Sequence, residues 1–317
     1  MASYLAHSAC VTAIVLNYRL PRLGAYARPV RDMQDAMTKV RSDQMWSELL
    51  GPGFGAAARP TTFGVLGFSA GGHLAALAAT SRNASHRPDF AVLMYPLISL
   101  EKFTHLNSKT ELLGRDPTPD LVQQFSPELL VSRTTAPTLL IHAVDDHVVP
   151  PANSQLYLEA CRQHGPFCTY VTLSQGGHPF VNKPKVWSAA TTALLTWLTW
   201  LDVFVHSYRL HSTTLGAVRN DRRNLTSYFT ELRMRNVDLM LFSLRRIDGV
   251  LKVSETNAPR LRSDGSRRAE PSRARAIRPP PWIVETWGDP AWDEKGHQED
   301  WRDMPQNVTI LARRHHA

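Results

Sequence analysis

The chain has 317 residues, of which 43% are hydrophobic and 9% aromatic, a balance typical of a globular protein with a sizeable core. Its formal net charge is +8, but 20 of its 36 Lys and Arg residues lie in residues 202–317, so the basic character belongs mainly to the C-terminal part. No apolar run approaches the length of about 18 residues that a membrane span needs, and no signal peptide is recognised, so we expect no membrane span and, by default, a cytoplasmic protein.

Three cysteines are too few and too scattered for a metal site or a disulfide framework. Cys161 and Cys168 could close a short loop in an oxidising compartment. Unpaired thiols are the interpretation that we prefer.

Short apolar runs rich in β-branched residues alternate with segments of helical periodicity along the first 200 residues. This alternation predicts a mostly parallel sheet with helices on both faces, in which the functional residues lie beyond the carboxyl ends of the strands. The predicted strands are residues 10–16, 62–68, 90–95, 137–143 and 169–173. The predicted helices are residues 29–50, 70–80, 152–164 and 183–201, with a glycine-rich loop at 51–60 and a less regular region at 97–134.

The second predicted strand runs into a small-residue turn that contains Gly-x-Ser-x-Gly, with Ser69 at its centre. This pattern is typical of a nucleophile elbow, in which the turn is so sharp that the residues around the serine must be small. Gly67, Ala70, Gly71 and Gly72 meet that requirement. Alternatively, the serine would only cap the helix that follows.

An acid and a histidine follow two later strands, at the same predicted edge of the sheet. The fourth strand leads to Asp145 and Asp146, and the fifth leads to His178. The chain order Ser, Asp, His is that of an α/β-hydrolase triad. We prefer Asp146 as the acid because it begins Asp-x-Val-Val-Pro, while Asp145 is expected to cap or to be solvated. The candidate catalytic residues are therefore Ser69, Asp146 and His178.

Three further histidines lie near these residues in the sequence. His73 stands on the predicted elbow helix, and we interpret it as a packing residue. His142 and His147 flank the acid loop and are interpreted as solvated or hydrogen-bonded neighbours without a chemical role.

Several motifs in order make residues 10–200 resemble the acetyl xylan esterase and feruloyl esterase branch of the α/β-hydrolases, in the broader esterase and lipase group. The motifs are Asn17-Tyr18-Arg19-Leu20, Pro29-Val30-Arg31-Asp32-Met33-Gln34, residues 65–75, Met94-Tyr95-Pro96-Leu97-Ile98-Ser99, Phe125-Ser126-Pro127-Glu128 and the loops that hold Asp146 and His178. The resemblance implies that Ser69 is the nucleophile, His178 the general base, Asp146 its orienting acid and the Ala70 N–H an oxyanion donor. It also implies hydrolysis of small ester substrates, acetylated sugars in particular, through an acyl-enzyme, with no metal or organic cofactor.

The chain departs from the family pattern before its first strand. Members of this family carry three further strands there and a His-Gly-Gly-Gly-like loop that completes the oxyanion hole. We therefore expect an N-terminally truncated α/β-hydrolase of reduced turnover. One of the missing strands separates the counterparts of the first strand and the elbow strand, so we expect residues 10–16 to lie beside the elbow strand or to leave an exposed edge.

Three regions are predicted: the truncated hydrolase domain at 1–202, a partly helical extension at 203–253 with a helix candidate at 225–244, and a tail at 254–317. The tail is rich in Arg, Ser and Pro and is predicted to be disordered. Its arginines and tryptophans form no platform or repeat that would predict nucleic-acid binding.

Two other functions compete with that of an ester hydrolase. The first is a catalytically impaired remnant that acts as a binding or scaffold protein. The second is a peptidase of the prolyl oligopeptidase kind, which shares the elbow and the triad order but carries a propeller domain for which this chain has no room. The sequence does not determine the oligomeric state.

Overall fold

The computed structural model describes residues 2–8, 11–50, 60–215, 251–255 and 308–313. Their centre is a seven-stranded sheet with the order β1-β7-β2-β3-β4-β5-β6. The strands are β1 (Thr12–Leu16), β2 (Thr62–Phe68), β3 (Phe90–Met94), β4 (Thr138–Ala143), β5 (Cys168–Leu173), β6 (Leu251–Glu255) and β7 (Val308–Arg313). Strands β2 to β5 are parallel, as the sequence predicts, while β6 and β7 run antiparallel to their neighbours.

Helices cover both faces of the sheet and make a three-layer fold. They are α1 (Ala2–Ser8), α2 (Ala27–Val40), α3 (Asp43–Leu50), α4 (Ser69–Ala79), α5 (Leu106–Leu113), α6 (Pro119–Gln124), α7 (Pro127–Leu130), α8 (Ala152–His164) and α9 (Pro184–Leu215). The α/β-hydrolase fold that the sequence predicts is therefore confirmed. None of these helices is long and apolar enough to cross a bilayer.

The two faces of the central strands fill two separate cores, because successive side chains of a strand point to opposite sides. Leu66 and Val92 face a core that α1 and α9 complete, where Trp197 is fully buried. Val65 and Leu93 face the opposite core, which α2, α4 and α8 complete. Because β2 and β3 are buried on both faces, they are continuous apolar runs, as central parallel strands usually are.

The first strand, β1, does not lie beside the elbow strand β2, although the sequence predicted that position or an exposed edge. Thr12–Leu16 lies parallel to β2 but not beside it, because β7 pairs with β1 on one side and with β2 on the other. Ile310 is the partner of Ile14 in β1 and of Val65 in β2. A gap between β1 and β2 would leave two rows of unpaired N–H and C=O groups, and β7 satisfies both rows.

We expect Ile310→Ala to lower the free energy of unfolding by about 3 kcal/mol, since Ile310 is fully buried between two strands. The matched control is Val15→Ala in the neighbouring strand β1, where the side chain is 49% exposed. The control should cost less than about 1 kcal/mol, because little apolar surface leaves water there. Urea unfolding of both variants measures the difference. Equal, small losses would mean that β7 does not pair with β1 and β2 in solution.

Two strands lie where the composition predicted other structure. The strand β7 lies within the tail at 254–317 for which no order was expected, and β6 starts within the extension at 203–253 that was expected to be partly helical. The helix α9 continues beyond the predicted end at residue 201 to Leu215. The glycine-rich stretch 51–59, the helix candidate at 225–244 and most of the predicted tail lie outside the described residues.

Two further expectations differ from the structure. The helical segment 29–50 is two helices, α2 and α3, because Ser42 begins a new helix by accepting a hydrogen bond from the Met45 N–H at 3.3 Å. Cys161 and Cys168 are joined in a disulfide between the end of α8 and the start of β5, so the preference for unpaired thiols is wrong for this pair.

Candidate active site

Three loops at the carboxyl ends of parallel strands form the site. Ser69 follows β2, Asp146 follows β4 and His178 follows β5. The parallel direction of these strands brings residues from distant parts of the chain to one edge of the sheet. Ser69 is 109 residues from His178 in the sequence, and His178 is 32 residues from Asp146.

The turn at Ser69 has the sharp geometry of a nucleophile elbow. Ser69 has a φ of +49°, a left-handed conformation that side chains other than glycine seldom adopt. A Cβ atom on Gly67 would overlap the backbone carbonyl of Gly71, and one on Gly72 would lie 2.9 Å from Cβ of Pro96. The Leu97 N–H also donates to the Ser69 carbonyl at 3.2 Å. The small residues are thus required by the close approach of strand, turn and helix.

Ser69, His178 and Asp146 form a continuous chain of hydrogen bonds. The Oγ atom of Ser69 lies 2.9 Å from Nε2 of His178, and Nδ1 of His178 lies 2.7 Å from Oδ2 of Asp146. An ionised Asp146 can only accept hydrogen bonds, so Nδ1 of His178 carries the proton. Nε2 of His178 is then free to accept a hydrogen bond from the serine hydroxyl. The His178 side chain is only 2% exposed, and that of Asp146 is fully buried.

Four hydrogen bonds hold the Asp146 carboxylate. Its Oδ1 accepts from the backbone N–H groups of Val148 and Val149 at 3.0 and 2.9 Å, and its Oδ2 accepts from His178 and His142. Burial raises the pKa of Asp146, but the hydrogen bonds from the two histidines outweigh burial and hold the pKa below its usual range. Asp146 is therefore ionised throughout the neutral range.

Asp145, the alternative acid, contacts the backbone of Gly177 and not His178. Its Oδ1 accepts from the Gly177 N–H at 2.7 Å and so ties the acid loop to the loop that carries His178. Burial raises the pKa of Asp145, but the backbone hydrogen bonds from Gly177 and Gly176 together outweigh burial, so the pKa lies below its usual range. The preference for Asp146 over Asp145 is consistent with this geometry.

An aromatic side chain, that of Tyr95, packs against His178. The Tyr95 ring meets the His178 ring edge-on with centroids 4.7 Å apart, and it meets Phe180 in the same way on another side. Tyr95 directly follows β3 and has a φ of +38°, so the backbone turns at the residue whose ring contacts His178. Tyr95 belongs to one of the motifs that resemble the esterase family, but the sequence alone predicted no role for it in the site.

The first turn of α4 supplies backbone donors next to Ser69. N–H groups in the first turn of a helix have no carbonyl partner within the helix, and they point toward the side from which a substrate would approach an elbow serine. Ala70, Gly71 and Gly72 occupy this turn. The Ala70 N–H stays the predicted oxyanion donor.

His73 is buried on α4, one turn after Ser69. Burial lowers the pKa of His73 to about 4. His73 is therefore neutral at pH 7, as a packing residue is expected to be.

The shifted pKa of His73 makes stability depend on pH. An unfolded histidine has a pKa of about 6.5, so the unfolded state binds the proton first as pH falls, and about 2 kcal/mol of the free energy of unfolding is lost between pH 7 and pH 5 through this group. We expect His73→Gln, which stays neutral, to lose about 2 kcal/mol less than the wild type over this range. Urea unfolding at both pH values measures this, with His147→Gln on an exposed histidine as control. The same pH dependence in the wild type and His73→Gln would contradict the burial of a neutral His73.

The remaining two histidines differ from each other. His147 is exposed, as expected. His142 is fully buried and contacts Asp146 directly at 3.1 Å, so the interpretation of His142 as a mere neighbour is incomplete. The position of His142 at the end of the predicted strand, next to the acid loop, was the sequence signal that could have indicated a contact with Asp146.

Comparison with known proteins yields a family model and two curated relatives. Residues 8–160 match the BD-FAE family model. The chain is 34% identical over 176 residues to an acetylxylan esterase of Xylanibacter ruminicola, in a match that covers 54% of this chain and 34% of the relative. It is 35% identical over 119 residues to endo-1,4-beta-xylanase B of Butyrivibrio fibrisolvens, a match that covers 34% of this chain and 19% of the relative.

Among solved structures, the chain is similar to an acetyl ester-xyloside bifunctional hydrolase from Caldicellulosiruptor lactoaceticus. The two are 34% identical with a TM-score of 0.49, and the match covers 58% of this chain and 69% of that one. The chain spans about a third or less of the length of the curated relatives it matches. The family matches confirm the resemblance to the acetyl xylan esterase and feruloyl esterase branch. The chain therefore has the α/β-hydrolase fold, and its residues 8–160 are similar to the BD-FAE family.

Proposed function

We propose that the chain is a serine hydrolase that cleaves carboxylic esters through a triad of Ser69, His178 and Asp146. The observation that carries the proposal is the unbroken series of hydrogen bonds from Ser69 through His178 to a buried, ionised Asp146. The positive φ of Ser69 supports it further, since backbone strain of this kind is concentrated at functional sites.

The proposed reaction has two halves. His178 Nε2 takes the proton of the Ser69 hydroxyl as Oγ attacks the ester carbonyl, and the same proton passes to the alcohol that leaves. Water then attacks the acyl-enzyme, with His178 again accepting and returning a proton. Asp146 fixes the orientation of His178 and stabilises the imidazolium that forms in both halves, and the Ala70 N–H donates to the developing oxyanion. No cofactor takes part in this chemistry.

Acetyl esters on sugars are the substrates that we propose. The support is the acetylxylan esterase of Xylanibacter ruminicola, to which the chain is 34% identical over 176 residues. A short acyl group also suits a site whose histidine packs against the ring of Tyr95.

The experiment is to incubate the full chain with 4-nitrophenyl acetate and, separately, with acetylated xylo-oligosaccharides, and to measure 4-nitrophenol and acetate. Release from both substrates is the expected result. Release of 4-nitrophenol alone would keep the ester hydrolase and overturn the acetylated sugar as substrate. No release from either substrate would overturn the proposed function and favour a non-catalytic binding or scaffold protein.

A further inference from the structure

His142 occupies a buried position between the acid loop and α8. It belongs to β4, is fully buried and lies four residues before Asp146. Its Nε2 lies 3.1 Å from Oδ2 of Asp146 and 2.9 Å from the Val149 carbonyl oxygen, and its Nδ1 lies 2.8 Å from Oγ of Ser154. Both ring nitrogens therefore have partners.

These partners determine where the proton of His142 sits. A carboxylate and a carbonyl oxygen only accept hydrogen bonds, so Nε2, which faces both, carries a proton and donates it. In the neutral ring Nδ1 then accepts, and the Ser154 hydroxyl is the group that donates to it. Ser154 is also fully buried, on α8.

The result is a second serine and histidine pair on the other side of Asp146. Oδ2 of Asp146 accepts from Nδ1 of His178 at 2.7 Å and from Nε2 of His142 at 3.1 Å. The hydrogen bonds thus run from Ser154 through His142 to Asp146, and from Ser69 through His178 to the same oxygen.

We propose that His142, held by Ser154, is a positioning residue that keeps the Asp146 carboxylate directed at His178. Without the His142 N–H, the buried Asp146 Oδ2 and the Val149 carbonyl oxygen would face each other with no donor between them. Oδ2 would keep only the hydrogen bond from His178. Two buried acceptor oxygens without a donor between them move apart or admit water, and either change displaces the carboxylate. Small displacements in an active site cost turnover rather than binding. The proposal rests on the proposed ester hydrolysis.

Three variants of the full chain separate positioning from packing. His142→Leu fills the volume without an N–H, and His142→Gln offers an amide N–H close to where Nε2 lies. His147→Leu is the control, because it makes the same change on an exposed histidine of the loop that follows β4. With 4-nitrophenyl acetate, we expect His142→Leu to lower kcat about 10- to 100-fold with KM nearly unchanged, the value of one hydrogen bond to a charged group. His142→Gln should recover most of that loss, and His147→Leu should match the wild type.

A second measurement does not depend on turnover. In protein with 15N-labelled histidine, NMR detects the proton on Nδ1 of His178, which is shifted downfield by its hydrogen bond to Asp146. We expect this resonance to move or broaden in His142→Leu and to keep its position in His142→Gln and His147→Leu. An unchanged resonance in His142→Leu, or a loss of kcat that His142→Gln fails to recover, would overturn the positioning role. A wild type without esterase activity would overturn the proposed function instead, and the resonance would still decide whether His142 positions Asp146.

Discussion

Ser69→Ala is expected to lower kcat for 4-nitrophenyl acetate by about 10⁴-fold or more. The substitution removes only the hydroxyl group, whose Oγ atom lies 2.9 Å from Nε2 of His178. Alanine keeps the Cβ atom, so the strain of the left-handed turn at Ser69 is the same in the variant. The fold should therefore be retained while the nucleophile is lost. Initial rates of 4-nitrophenol release measure the effect.

The control for this substitution is Ser174→Ala. Ser174 is exposed and begins the loop that leads to His178, so it loses the same atom close to the site without touching Ser69. Its kcat should equal that of the wild type. If Ser69→Ala kept more than about a tenth of the wild-type turnover, the esterase activity would come from another nucleophile.

Asp146→Asn is expected to lower kcat by about 10³- to 10⁴-fold. The carboxylate accepts on both oxygens, from two backbone N–H groups on Oδ1 and from two histidines on Oδ2. An asparagine amide must turn its NH₂ group toward one of these donor pairs. If it faces the histidines, His178 has to accept on Nδ1, and Nε2 then carries the proton and cannot take one from Ser69. If it faces the backbone, the acid loop is displaced.

Asp145→Asn is the matched control, because it makes the same chemical change at the adjacent residue. Asparagine keeps an oxygen that can accept from the Gly177 N–H, the contact that Asp145 makes at 2.7 Å. We expect turnover to fall by less than about fivefold, since a neutral acceptor replaces a charged one at a partly buried position. Equal losses in both variants would contradict the assignment of Asp146 as the acid that orients His178.

The sequence predicted the core of this fold because local patterns and tertiary structure agree there. Buried parallel strands are apolar runs whose length and bounding residues distinguish them from helices, and Thr62–Phe68 and Ala152–His164 have the predicted bounds. The candidate triad was predictable for a related reason. Its members follow the parallel strands β2, β4 and β5, and the loops that follow parallel strands meet at one edge of the sheet.

The parts that sequence reasoning missed depend on contacts between distant segments. Val308–Arg313 is a short run with the alternation of a strand, but no local pattern shows that its neighbours are β1 and β2. Its antiparallel pairing on both sides depends on a gap in the sheet that exists only in three dimensions. The role of His142 was missed similarly, since its contact with Ser154 joins β4 to α8.

Covalent trapping of Ser69 tests the central claim most directly. The full chain and its His178→Ala variant are incubated with a fluorophosphonate, and the modified peptide is identified by mass spectrometry. We predict a single adduct on Ser69 in the wild type and at least about 100-fold slower labelling in His178→Ala, because the serine is nucleophilic only when Nε2 accepts its proton. Equal labelling rates in the two proteins, or no adduct on Ser69, would contradict a serine activated by His178 and Asp146.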